Sequence, residues 1–87
     1  FATKLIDNQL LFGYFSVMLL LTQILVALVG FQHLAFMILE MFFWDHAVGR
    51  KIFRTTAAFS LESKALAANQ GLYNGFLSAG CFWSLLA

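Results

Sequence analysis

Residues 8–39 run for 32 positions without an acid, a lysine or an arginine, bracketed by Asp7 and Glu40, and His33 is the one basic titratable group among them. A bilayer core about 30 Å thick needs roughly 20 apolar residues in helical form. The densest part, VMLLLTQILVALVGF at 17–31, meets that need with flanking residues to spare. The run is too long for the apolar core of a signal peptide and lacks a basic front. This stretch predicts a first transmembrane helix region over residues 10–44.

Composition points the same way. Of 87 residues, 62% are hydrophobic and 10% are charged, against about 25% charged in an ordinary soluble domain. A chain this short cannot enclose that much apolar surface within itself, so lipid is the expected solvent. A formal net charge of +1 gives no reason to invoke nucleic acid. The single cysteine, Cys81, excludes an intrachain disulfide.

A second uncharged stretch occupies residues 65–87 and predicts a second transmembrane helix. It is still hydrophobic at CFWSLLA, so the chain is expected to continue past Ala87 into a longer bundle. Between the spans, DHAVGRKIFRTTAAFSLESK at 45–64 sets Arg50, Lys51, Arg54 and Lys64 against Asp45 and Glu62. Such a short basic connector is expected on the cytoplasmic side or its organellar equivalent. Its GRKIFRTTAAF segment reads as a short interfacial helix, with Ile52, Phe53 and Phe59 toward lipid. Ser60 is expected to cap the next helix, with Glu62 near its positive end. Phe42, Phe43 and Trp44 close the first span, and Phe1, Phe12, Tyr14 and Phe15 lie near its start, as aromatic residues do at headgroup level. The expected fold is all-α: residues 1–87 form a single integral membrane domain, a helical hairpin of at least two spans.

The second stretch opens with LAANQGLYNG at 66–75, unusually rich in hydrogen-bonding groups. Ala67, Gly71, Gly75 and Ala79 are each four apart and predict a small-residue ridge for helix packing. Asn69 with Tyr73, and Gln70 with Asn74, form two i,i+4 rows beside it. Amides facing lipid are costly, so this cluster is expected to face protein. It reads either as structural glue between helices or as a polar pocket for a small molecule, headgroup, ion or pigment. Glu40 and His33, seven apart, share a face of the first helix. An ionisable group within a span is a functional candidate, and the alternative for Glu40 is a boundary position reaching water. His46, beside Asp45, reads as an exposed loop histidine.

Nothing aligns a nucleophile with a base, spaces ligands for a metal, or builds a phosphate-binding glycine loop. The chain is therefore expected to be non-enzymatic.

His33, LEMFFW at 39–44, GRKIF at 49–53, Lys64 and LAANQGLYNGFLSAG at 66–80 together resemble a family of small bacterial integral membrane proteins of unknown function. The resemblance covers roughly residues 25–83, and the last motif is its most specific part. It implies a compact helical membrane protein with further spans and no assigned reaction. It marks His33, Glu40, Trp44, Lys64, Asn69, Gln70, Tyr73 and Asn74 as the residues to watch. The chain departs from the family pattern at DHAVG, where a Thr-Pro turn is expected, and at Arg54, where a glycine is usual.

The leading expectation for function is a structural or accessory subunit, docked through its helices among membrane lipids and the other subunits of a larger complex. The setting would be photosynthetic or respiratory, in a bacterial inner membrane or an organellar membrane such as the thylakoid. There His33 is a candidate cofactor ligand for chlorophyll or another pigment. The alternative is a small transporter-like protein whose polar intramembrane site joins Glu40 and His33 to the Asn69–Asn74 cluster, with Glu40 near Asn69. A membrane enzyme using Glu40 or His33 as acid–base group ranks last.

Overall fold

The computed structural model describes residues 2–87, and Phe1 lies outside them. Four helices account for nearly all of the chain. Helix α1 spans Ala2–Phe42, α2 Ala47–Phe53, α3 Ala57–Glu62 and α4 Lys64–Leu86. No strand occurs among the described residues.

With no Pro in the chain and no Asp, Glu, Lys or Arg between Asp7 and Glu40, α1 continues for 41 residues, about 60 Å at 1.5 Å per residue. It begins well before the expected residue 10 and ends two residues short of the expected 44. Helix α4 folds back antiparallel on its C-terminal half. Gly30 meets Ser78, Cys81 and Phe82, Met37 meets Gly75 and Gly71, and Glu40 meets Gly71 and Asn74. The N-terminal half has no such cover: every residue from 2 to 25 is exposed. The molecule is accordingly a rod, 72 × 23 × 13 Å.

The close approach of α1 and α4 depends on Gly71. A β-carbon there would sit 2.5 Å from Met41 Cγ and 3.2 Å from the Met37 carbonyl oxygen. Packing of this kind is driven by backbone proximity and dispersion contacts.

The connector is a clasp built around Trp44. Its carbonyl accepts the Ser60 hydroxyl at 2.9 Å, its indole N–H donates to Ser63 Oγ at 3.1 Å, and its ring lies 5.0 Å from that of Phe53. The expected single interfacial helix is in fact two. Helix α2 stops at Phe53 because Arg54 adopts the left-handed conformation, φ 56 and ψ 45. Extended Thr56 then caps α3, its Oγ1 accepting the Phe59 amide at 3.1 Å. Ser60 is not the expected cap. It is fully buried inside α3, with its hydroxyl spent on Trp44. Phe53 is half-buried against Trp44 and Phe36, while Ile52 and Phe59 remain exposed.

By length and apolar composition, α1 is the one helix among the described residues able to cross a membrane. Helix α4 is long enough at 23 residues, but its amides, Tyr73 and serines dilute its apolar character. The architecture is therefore an all-helical hairpin with one helix of spanning quality.

Candidate functional site

The polar stretch of α4 is divided by the helical repeat. Residues four apart advance about 400°, so each step of a strict four-residue ridge drifts about 40°. The expected ridge follows this drift: Ala67 and Gly71 are buried, Gly75 is half-buried and Ala79 is exposed. The face that meets α1 instead runs Ala67, Gly71, Asn74, Ser78, alternating steps of four and three. Ser78 is 3% exposed and donates to the Gly30 carbonyl at 2.8 Å.

The two amide rows part in the same way. Asn74 is half-buried and its Nδ2 donates to Glu40 Oε1 at 2.5 Å, joining residues 34 apart in the chain. Gln70, one turn earlier, is exposed and lines the cavity beside Glu40. Asn69 and Tyr73 are both exposed. The cluster thus contributes Asn74 and Gln70 to the Glu40 side of the hairpin. The expected approach of Glu40 to Asn69 does not occur, because Asn69 lies about 140° around α4 from Asn74.

The cavity has a volume of about 150 Å³. Its polar rim is formed by Glu40, Ser63 and Gln70, and its apolar wall by Trp44, Phe59 and Leu66. Among the described residues the one ion pair is Arg50 with Asp45, at 3.0 Å. Glu40 is therefore a half-buried carboxylate held by one neutral donor, without a cationic side chain at its oxygens.

His33 lies on the α4-facing side of α1 and is half-buried. Its Nδ1 is 2.8 Å from the Val29 carbonyl, one turn back. A donor bond from Nδ1 to that oxygen leaves Nε2 as the ring nitrogen open to a ligand. The same bond also satisfies a helix-borne histidine with no ligand at all. Among the described residues no three His, Cys, Asp or Glu side chains gather as a metal site would require. His46 is exposed and its ring lies 5.8 Å from that of Phe43.

Sequence reasoning missed Ser78, Ser63 and Phe59. Ser78 was legible as the next position of the 67–71–74 row. Ser63 carried no signal and Phe59 was expected toward lipid, because only the fold-back of the connector brings them to the Glu40 cavity.

No curated protein and no solved structure matches this chain. Residues 24–87, which comprise the whole connector, all of α4 and the covered half of α1, match a family described as a protein of unknown function, DUF1304, and the chain belongs to that family.

Proposed function

We propose that this chain is an integral membrane protein that works through helix contact, as a structural or accessory component of a larger membrane assembly. The observation that carries the reading is the uncovered half of α1. Residues 2–25 are exposed on every side, and Leu10, Phe12, Tyr14, Phe15 and Leu19 are each at least 60% exposed there. A soluble monomer rarely leaves so much contiguous apolar surface bare. Lipid or neighbouring transmembrane helices would satisfy it.

On this reading α1 spans the bilayer and α4 re-enters it as a second span. Two of its amides have a place within the hairpin, Asn74 bonded to Glu40 and Gln70 bordering the cavity, and Asn69 would face a neighbouring helix or the headgroup layer. The basic connector would then lie on the cytoplasmic face or its organellar equivalent. The protein should stay in the membrane fraction through alkaline carbonate washing and leave it only with detergent. Photo-crosslinking groups placed at Phe12 and Phe15 should capture protein in native membranes, whereas capture of lipid alone would remove the subunit role. Recovery of the chain in the carbonate wash would remove the membrane reading altogether.

A second reading, a small transporter-like protein, draws support from the Glu40–Asn74 pair and the adjoining cavity. Its polar site would comprise Glu40, Asn74 and Gln70, without Asn69. Uptake into vesicles that is abolished by Glu40→Gln would establish it.

A further inference from the structure

We propose that the cavity beside Glu40 receives an alkylammonium group, the cationic head of a small organic cation or of an ammonium-bearing lipid. The inference rests on the closed geometry of the hairpin and connector, and it stands whether or not α1 docks against another subunit.

Charge comes first. The Glu40 carboxylate is half-buried, Asn74 occupies Oε1, and Oε2 accepts no hydrogen bond among the described residues. The nearby bases do not neutralise it. Arg50 is bound to the Asp45 carboxylate and carbonyl, and Lys64 is exposed. A half-buried carboxylate with one oxygen free and no counter-charge beside it is a receptor for a cation.

The wall selects the kind of cation. Trp44 is fixed in place by Ser60, Ser63 and Phe53, and its indole N–H is already used. Its side chain and that of Phe59 line the cavity. Aromatic faces attract cations, and most strongly those that shed water easily, such as methylated ammonium groups. A hard metal ion instead demands six or more oxygen ligands; Glu40, Ser63 and Gln70 are the polar side chains here. The volume of about 150 Å³ is below the roughly 300–1,000 Å³ of pockets that enclose whole drug-sized ligands. It suits a compact head whose remainder lies outside.

The test uses the full chain in a non-ionic maltoside detergent, with choline as the probe and 3,3-dimethylbutan-1-ol as its uncharged analogue. Titration calorimetry should show saturable choline binding and none of the alcohol. Glu40→Gln keeps an acceptor for Asn74 and should weaken choline binding by about tenfold or more, while Phe59→Leu should weaken it by about fivefold. Reconstitution separates the two sources. Weaker choline binding in phosphatidylcholine vesicles than in vesicles of an uncharged galactolipid identifies a lipid head as the occupant. Equal binding in both identifies a free cation. No saturable binding to the wild type, equal binding of the alcohol, or choline binding unchanged in both folded variants would overturn the proposal.

Discussion

Ser78 reaches across the hairpin and donates its hydroxyl to the Gly30 carbonyl at 2.8 Å, the most buried side-chain hydrogen bond between α1 and α4. The Gly30 oxygen already serves its own helix, so this is a second bond to one acceptor. Interhelical bonds of this type contribute about 0.6 kcal/mol on average in membrane proteins. Ser78→Ala should therefore lower stability only slightly. Ser78→Leu should cost several times more by forcing the helices apart, and thermal unfolding in detergent would rank the two.

Gly71 packs directly against α1, where a β-carbon would meet Met41 Cγ at 2.5 Å. Any side chain there meets Met41 and the Met37 carbonyl, so Gly71→Leu should destabilise the hairpin by about 1–3 kcal/mol. Ala79→Leu, at the last position of the ridge expected from sequence, places its bulk on an exposed face. It should leave the unfolding midpoint nearly unchanged. Equal losses in the two variants would mean that α4 packs in a different rotation.

Asn74 and Asn69 offer the same comparison with identical chemistry. Asn74→Ala removes the hydrogen-bond donor to Glu40 and leaves that carboxylate unsatisfied, a loss of about 1–3 kcal/mol. Asn69→Ala deletes an exposed amide and should fall within about 0.5 kcal/mol of the parent. Chemical denaturation of the two variants side by side reads the difference directly.

Arg54 holds a left-handed conformation, φ 56, that costs an L-residue with a β-carbon about 1–2 kcal/mol. Glycine adopts it freely. Arg54→Gly should raise the thermal midpoint by relieving this strain at the end of α2, and Arg54→Val should lower it, because a β-branched side chain tolerates that region least.

These residues also show how far the sequence carries. The uninterrupted 8–39 segment foretold a long helix, but GRKIFRTTAAF read as one interfacial helix and the break at Arg54 was not foreseen. The hairpin followed from two apolar stretches and a charged connector. The rotation of α4 did not follow, because a four-residue rule was applied to a 3.6-residue helix, and the error of about 40° per step turned Ala79 off the interface. Nor did the cavity: Trp44, Phe59 and Ser63 meet only through the double break at Arg54 and Thr56, a backbone event that hydropathy does not register. Helix α4 is less apolar than its lack of charge implies, since amides and hydroxyls carry no charge yet remain expensive in hydrocarbon.

The three attachments of Trp44 make the hairpin unequal along its length. One end is latched by two hydrogen bonds and an aromatic contact, while the other is held by Phe31 against Phe82, at 4.9 Å, and by the single Ser78–Gly30 bond about one turn inward. Separation of the helices therefore starts at the Phe82 end and travels toward the indole, like tongs pivoting on a rivet. Amide exchange should follow that gradient, fastest near Ser84 and slowest near Ala67.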